Sequence, residues 1–156
     1  MEIDALPVMK NRWNKQDAEQ IAVGDDLAMR VYTSQILGKE ADLVLHGGGN
    51  TSVKGQLTTI FGETEDVLFV KGSGWDLKTI EAAGFSAVSM DYLLKLGQLQ
   101  KLSDNQMMRQ LRLALLDPNA PTPSVEAILH ALIPLKVVDH THADAVVTIS
   151  NTANGE

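Results

Sequence analysis

The first hydrophobic pattern along the chain is helical. Between residues 21 and 36, apolar side chains recur at spacings of three, four and seven, which places them on one face of a helix. The pattern predicts a helix from about Lys15 to Ile36, with Gly24 as a weak point inside it. Residues 1–14 show no such period and are interpreted as an N-terminal extension.

The hydrophobic period changes after residue 40. The segment Asp42–His46 predicts a strand that leads into a run of three glycines. Two further strands are predicted at Thr51–Lys54 and Leu57–Phe61, around a turn at Gly55-Gln56. The continuous apolar run Val67–Val70 indicates a fourth, buried strand.

Helices and strands are predicted to alternate in the following segment. A short helix is predicted over Asp76–Ala83, with Asp76 as its N-cap, and a strand over Phe85–Met90. One or two helices are predicted over Asp91–Leu116, with a break near Ser103-Asp104. This order favours an α/β or α+β sheet with helices packed against it.

A proline-rich loop over residues 118–123 precedes one more predicted helix. Thr122 is its predicted N-cap, Pro123 its first residue, and Pro134 ends it. The predicted buried face of this helix consists of Val125, Ile128, Leu129 and Leu132.

The last two elements are predicted from residues 137–150. Val137–His142 predicts a strand, and Ala143–Ser150 fits a strand or a helix. The opening Ala143-Asp144-Ala145 favours the helix.

Composition limits what the protein can be. A chain of 156 residues with 44% hydrophobic residues is long enough for one globular domain with a real core. Its net charge of -7 argues against non-specific nucleic-acid binding. It has neither a membrane-spanning apolar run nor a signal-peptide pattern, so we expect a cytoplasmic protein. Because it contains no cysteine, a metal site must use His, Asp or Glu.

The pair His140 and His142 is the first candidate for chemistry. Residues i and i+2 of a strand point to the same side, so both rings would face one spot, as two zinc ligands do. The alternative is two half-buried histidines with ordinary hydrogen bonds.

Glu126 is the second candidate. It lies in the first turn of the predicted helix, three residues after Pro123, and no capping box uses it. It is either a metal ligand or general acid/base, or only a carboxylate that favours a helix N-terminus. His130, four residues on, shares its face and is interpreted as a structural or outer residue.

Two glycine loops each follow a predicted strand: Gly47-Gly48-Gly49-Asn50-Thr51-Ser52 and Lys71-Gly72-Ser73-Gly74. Glycines let backbone N–H groups approach an anion, and Ser124 at a predicted helix start also favours phosphate. Each loop taken alone is more typical of a simple turn.

Four motifs follow one another along the chain: the two glycine loops, then Pro123-Ser124-Val125-Glu126, then Asp139-His140-Thr141-His142-Ala143. This order of motifs resembles the class II aldolase/adducin family, and the resemblance covers roughly residues 30–156. Within the family, the motifs are most similar to the aldolase part of bifunctional rhamnulose-1-phosphate aldolase/alcohol dehydrogenases.

The resemblance implies a three-layer α/β/α fold with a central, mostly antiparallel sheet, and a homo-oligomer, usually a tetramer. It implies retro-aldol cleavage of a phosphorylated ketose to dihydroxyacetone phosphate and an aldehyde, with zinc or another divalent metal as cofactor. His140 and His142 resemble two of the three zinc ligands, and Glu126 resembles the acid/base carboxylate. The residues that resemble the phosphate-binding set are Asn50, Ser73, Gly74 and Ser124.

One feature departs from the family. Its third zinc histidine lies well downstream of the pair, whereas this chain ends at Glu156, 14 residues after His142. We do not assign that role to His46, which lies upstream beside the first glycine loop. We therefore expect a C-terminally incomplete aldolase domain, without its dehydrogenase part and with impaired turnover.

Two other functions remain open. One is a non-catalytic, adducin-like binding or assembly domain, and the other is a sugar-phosphate epimerase or dehydratase on the same fold. The histidines and Glu126 argue against the first, because a pure binding module does not need them.

Overall fold

Four strands form the centre of the protein in residues 10–155, the part that the computed structural model describes. They are β1 (Asn50–Thr58), β2 (Thr64–Lys71), β3 (Phe85–Ser89) and β4 (Val137–His140). The sheet order is β3-β2-β1-β4, and every neighbouring pair is antiparallel. The predicted α/β fold with an antiparallel central sheet is therefore confirmed.

Six α-helices surround the sheet within the described residues. They are α1 (Lys15–Glu19), α2 (Asp26–Gly38), α3 (Met90–Leu96), α4 (Asp104–Leu113), α5 (Ala127–Leu132) and α6 (Asp144–Ser150), together with a 3-10 turn at Ala82–Gly84. No helix in this part of the chain combines the length and apolar character needed to cross a membrane.

Two apolar clusters pack on the sheet. Leu68 and Val70 of β2 point to the cluster that α3, α4 and α5 complete, whereas Phe69 between them packs with α2. Because alternate residues of a strand face opposite sides, β2 supplies both clusters at once. Helices thus cover both faces of the sheet, as the three-layer prediction requires.

The first predicted helix is in fact two. Gly24 has a φ of +86°, a left-handed conformation, and the chain turns there between α1 and α2. The side chain of Asp25 then caps α2 by accepting the N–H of Ala28. Most of the predicted N-terminal extension, residues 1–9, lies outside the described part. In the rest of it, Arg12 forms an ion pair with Glu40.

Two strand predictions around the first glycine loop were wrong. Asp42–His46 forms turns, and its backbone instead accepts N–H groups from the loop before α6. Gly55-Gln56 is not a turn, because β1 continues to Thr58 and the hairpin turn lies at residues 59–63. The ring of Phe69 lies over Gly55, where an added Cβ would approach it to 3.1 Å, and this packing keeps the strand extended.

The helix predicted over Asp76–Ala83 was also wrong. The Asp76 carboxylate accepts the N–H of Lys78, but the chain continues as a turn and reaches only the 3-10 turn before β3. The buried side chains Leu77 and Ile80 pack under α2 instead of following a helical stripe. The strand predicted over Phe85–Met90 is β3, and it ends one residue earlier than expected.

Of the one or two helices predicted over Asp91–Leu116, the structure has two, α3 and α4. Ser103 caps α4 through a capping box with Gln106, at the position where a break was predicted. The helix predicted from Ala143 is likewise present, as α6.

The helix predicted from Pro123 begins four residues later than expected. Pro123 pairs with Gly72 in an isolated bridge just beyond the end of β2, so the chain is still extended there. Glu126 rather than Thr122 is the N-cap of α5. The predicted buried face was wrong for Val125, Leu129 and Leu132, which are 46%, 56% and 48% exposed. The helix instead buries Ala127, His130 and Ala131, and only Ile128 of the predicted set packs against the core.

Candidate active site

The site is built on the pairing of β1 with β4. Asn50 lies opposite His140, and Thr51 lies opposite Asp139. Because side chains alternate along each strand, Asn50, Ser52 and His140 face one side of the sheet and the other two face away. The side with His140 is the one on which α5 packs.

Glu126 is held by groups from three segments. Its Oε2 accepts a hydrogen bond from Asn50 Nδ2 at 3.1 Å and a short one from Ser124 Oγ. Its Oε1 lies 3.5 Å from His140 Nδ1. The carboxylate is therefore fixed in the space between α5 and the two strands, at the N-terminus of a helix.

Those contacts set the charge of Glu126. Burial raises the pKa of the carboxyl group, but the hydrogen bonds from Ser124 and Asn50 and the proximity of His140 together lower it below its ordinary value. Glu126 is therefore an ionised carboxylate at neutral pH, able to accept a proton or contact a cation.

The rings of His140 and His142, the two candidate metal ligands, lie next to each other, but only His140 belongs to a strand. β4 ends at His140, and His142 lies in the loop beyond it, where its N–H donates to Leu43 O at 2.9 Å. The ring centroids are 4.8 Å apart with the planes at 64°. The first glycine loop lies against His142, since a Cβ on Gly48 would come within 3.4 Å of His142 Nδ1.

The side chains at this site are of the types that bind a divalent metal ion. His140 Nδ1 is buried and has no hydrogen-bond partner within residues 10–155, as expected for a ring whose nitrogens serve another contact. Two imidazoles and a carboxylate are the donors that catalytic zinc sites use. However, the described residues contain no group of three or more such side chains arranged to hold a metal ion. His140 and His142 would thus supply part of a ligand set.

The two glycine loops lie side by side. A Cβ on Gly47 would lie 3.6 Å from the carbonyl oxygen of Gly74. Lys71 Nζ donates to Gly47 O at 3.0 Å, and Lys71 O accepts the N–H of Ser124 at 3.2 Å. The loops and the segment before α5 therefore meet at the end of β2, with the exposed Ser73 and Gly74 at their edge.

Lys71 is a site residue that the sequence analysis did not select. It is only 2% exposed, and burial lowers its pKa, while the negative charges of Glu126 and Asp76 raise it in part. Its ammonium group has three donors, and the described residues accept one hydrogen bond from it. The sequence does contain a signal for this residue, because a lysine directly after an apolar strand indicates a buried positive charge at the loop that follows.

His130 of α5 is buried in the interior of the protein. It is 1% exposed, and its Nδ1 lies 2.8 Å from Ser52 Oγ on β1. Burial lowers its pKa to about 4, which leaves the ring neutral at neutral pH. The negative charge of Glu126 raises that pKa in part, and His140 lowers it further.

A second polar cluster lies on the opposite face of the sheet, directly behind the site. Arg30 of α2 forms an ion pair with Asp139 and donates to Ser34 Oγ at 3.2 Å. Ser34 Oγ in turn lies 2.8 Å from Thr51 Oγ1. One buried arginine thus ties α2 to both strands at the residues next to Asn50 and His140. Sequence spacing gives no sign of this cluster, because its members are 17 or more residues apart except within α2.

The structure therefore brings most of the candidate residues into one connected set. Hydrogen bonds and short contacts link Asn50, Ser124, Glu126, His140 and His142. Ser73 and Gly74 lie on the neighbouring loop. His46 is exposed and has a φ of 50° in the turn before the glycines.

Comparison with known proteins identifies the same domain. The family described as the Class II Aldolase and Adducin N-terminal domain matches residues 29–156. A solved structure of the N-terminal class II aldolase domain of a conserved Thermoplasma acidophilum protein is 41% identical, with a TM-score of 0.84. That match covers 94% of this chain and 66% of the other.

A curated relative is the uncharacterised oxidoreductase YuxG of Bacillus subtilis (strain 168). It is 36% identical over 149 residues, which are 96% of this chain. The match spans only 21% of that relative, so this chain is similar to about a fifth of its length. The family match covers most of the chain and agrees with its fold. The chain belongs to the class II aldolase and adducin family.

Proposed function

We propose that this domain performs metal-dependent retro-aldol cleavage of a phosphorylated ketose of the rhamnulose 1-phosphate type. The products would be dihydroxyacetone phosphate and an aldehyde. The observation that carries the proposal is the position of Glu126, an ionised carboxylate held between Asn50, Ser124 and His140. A non-catalytic module gains nothing from fixing a carboxylate beside two adjacent histidines.

Each group of the site has a chemical role in this proposal. His140 and His142 would hold a zinc ion, which when bound supplies Lewis-acid polarisation of the ligand's carbonyl group. Glu126 accepts the proton released from the hydroxyl beside the breaking carbon–carbon bond. It then returns that proton to the carbon that keeps the electron pair. Because Asn50 and Ser124 fix the carboxylate, it needs little reorganisation to do so.

The glycine loops supply the binding of the phosphate group. Asn50, Ser73, Gly74 and Ser124 are the proposed phosphate-binding residues, and the buried Lys71 adds a positive charge at the junction of the two loops. Binding the phosphate away from the reacting carbons gives energy that aligns the rest of the substrate.

The relatives support a role within a larger protein. A curated relative carries a description as an oxidoreductase and is about five times as long as the match. An aldolase domain joined to a dehydrogenase part agrees with that description, and we propose this arrangement for the whole protein. We also propose a homo-oligomer, because α5 exposes the apolar side chains of Leu129 and Leu132 to solvent.

Release of dihydroxyacetone phosphate from rhamnulose 1-phosphate tests the proposal. The assay compares the wild-type chain with zinc, the same chain after chelation, and the variants Glu126→Gln and Glu81→Gln. Glu81 is an exposed glutamate before the 3-10 turn and serves as the matched control. We expect zinc-dependent release that Glu126→Gln reduces at least about a hundredfold and Glu81→Gln leaves unchanged.

The other two functions predict different results. Conversion of the sugar phosphate without any dihydroxyacetone phosphate would indicate an epimerase or dehydratase. No turnover together with no uptake of zinc would indicate a binding or assembly domain.

A further inference from the structure

Arg30 of α2 is a buried cation on the face of the sheet opposite Glu126. It is only 3% exposed, although an arginine in the protein interior is costly to desolvate. A well-packed apolar side chain in place of a buried ion pair often leaves a protein equally stable or more stable. Stability alone therefore does not explain an arginine at this position, and its contacts indicate another role.

The hydroxyl group of Ser34 joins Arg30 to β1. It donates to Arg30 O at 2.6 Å, and a hydroxyl group has only one hydrogen to donate. It therefore accepts the other two hydrogen bonds, from Arg30 Nε at 3.2 Å and from Thr51 Oγ1 at 2.8 Å. Ser34 and Thr51 are both 0% exposed, so water does not compete for these bonds.

The same guanidinium group reaches β4. Its Nη2 forms the ion pair with Asp139 Oδ1, while its Nε is bound to Ser34. The guanidinium is planar and holds these two donors at a fixed angle, which a lysine ammonium group cannot do. Because Thr51 and Asp139 are cross-strand partners, one rigid group fixes both members of a strand pair.

The neighbours of that pair are residues of the candidate site. Asn50 precedes Thr51, His140 follows Asp139, and Asn50 and His140 are themselves cross-strand partners. Their side chains lie on the other face of the sheet, where both contact Glu126. A displacement of Thr51 relative to Asp139 therefore also displaces Asn50 relative to His140.

A second ion pair joins α2 to the start of β4. Lys136 Nζ lies 2.7 Å from Asp26 Oδ2, and Asp26 lies one helical turn before Arg30. Reversing the alignment would bring Asp26 to Asp139 and Arg30 to Lys136, which are pairs of like charge. The two ion pairs thus favour one alignment of the helix on the strand.

We propose that Arg30 is a positioning residue, which fixes Asn50 relative to His140 from the opposite face of the sheet. The consequence for metal binding rests on the proposed function: His140 would bind zinc more weakly when Arg30 does not hold its strand. Residues that orient metal ligands without touching the metal typically change metal affinity by about 10- to 100-fold.

Two matched variants separate positioning from stability. Arg30→Met removes the network but fills the same buried space with an apolar side chain. Lys136→Met breaks the other ion pair between the same two elements, whose side chains are 60% and 42% exposed, and leaves the network intact. A cooperative urea unfolding transition in each variant shows that it is folded.

Hydrogen exchange of the Asn50 side-chain amide reports on the site without metal or substrate. Its Nδ2 group is buried and donates to Glu126, so its hydrogens exchange only when this contact opens. NMR measures the exchange rate. We expect Arg30→Met to exchange at least about tenfold faster than the wild type, and Lys136→Met to match the wild type.

Equilibrium dialysis against zinc gives the second readout. We expect Arg30→Met to bind zinc at least about tenfold more weakly than the wild type and Lys136→Met to bind it equally well. A wild-type value of either quantity in Arg30→Met overturns the positioning role and leaves the aldolase proposal intact. If the wild type itself binds no zinc, the proposed function fails, and the exchange rate of Asn50 alone decides the inference.

The variant Ser34→Ala decides the inference if Arg30→Met does not fold. It keeps the ion pair of Arg30 with Asp139 and removes only the link to Thr51. We expect it to accelerate the exchange of the Asn50 amide, because β1 is then no longer tied to the arginine. An exchange rate equal to that of the wild type would contradict the inference.

Discussion

Asn50 on β1 and His140 on β4 are direct cross-strand partners, and Glu126 contacts both. A single pair of strands thus carries the proposed metal ligand His140 and the proposed phosphate ligand Asn50, and both contact Glu126, the proposed proton-transfer group. A shift of β4 by one residue would turn His140 to the other face of the sheet. The geometry of the site therefore depends on what fixes the register of β1 and β4.

The ion pair of Arg30 with Asp139 is the first test of that register. The Arg30 side chain is 2% exposed, whereas the Asp139 side chain is 50% exposed. We expect Asp139→Asn to lower the free energy of unfolding by about 2–4 kcal/mol, because it leaves a buried guanidinium without its counter-charge. Urea unfolding at neutral pH measures this.

The reverse change is the matched control. Arg30→Met leaves a carboxylate that water can solvate and fills the space with an apolar side chain, so we expect a loss below about 2 kcal/mol. A larger loss for Arg30→Met than for Asp139→Asn would contradict the assignment of the cost to the buried charge.

Gly49 provides a prediction for the first glycine loop. Its φ is +68°, and an added Cβ would lie 3.0 Å from His140 O and 3.2 Å from a methyl group of Val44. Gly62 in the hairpin turn has a similar φ of +80°, but nothing lies within 4 Å of its Cβ position. We expect Gly62→Ala to cost about 1 kcal/mol from backbone strain alone and Gly49→Ala to cost about 1–3 kcal/mol more. Thermal unfolding of both variants checks the difference, and equal losses would exclude crowding at Gly49.

The pH dependence of stability provides a third prediction. Burial lowers the pKa of His130 from 6.5 to about 4, so between these values the unfolded chain binds a proton that the folded chain does not. Folding stability should therefore fall as the pH drops from about 6.5 to about 4, by about 3 kcal/mol from this residue. Below the lower value the loss is complete.

The variant His130→Gln isolates that effect. Its free energy of unfolding, measured by urea titration at several pH values, should vary less with pH than that of the wild type over the same window. An identical slope in both proteins would show that His130 titrates normally in the folded state.

Part of this structure could be predicted because the signals are local. The apolar run of β2 and the capping box of α4 depend on residues close in sequence, and each site motif is itself a short run of residues. The proximity of Glu126 to His140 also agrees with the expectation from the motifs, although His142 reaches the site from a loop rather than from the strand.

The errors arose where a distant residue decides the local structure. Gly55 looks like a turn residue, but the ring of Phe69 packs on it and the strand continues. The apolar stripe of α5 predicts burial of Leu129, but the helix turns the smaller Ala127 and Ala131 toward the core. Lys71 was missed for the same reason, since its role depends on a carbonyl group 24 residues away.

Zinc uptake tests the central claim about Glu126, His140 and His142 most directly. Equilibrium dialysis against zinc compares the wild type with His140→Ala and with His46→Asn, a control at an exposed histidine whose positive φ asparagine tolerates. We expect the wild type and His46→Asn to bind zinc equally well and His140→Ala to bind it at least about tenfold more weakly. Equal zinc binding by all three proteins, or none by the wild type, would contradict the metal site and the aldolase mechanism built on it.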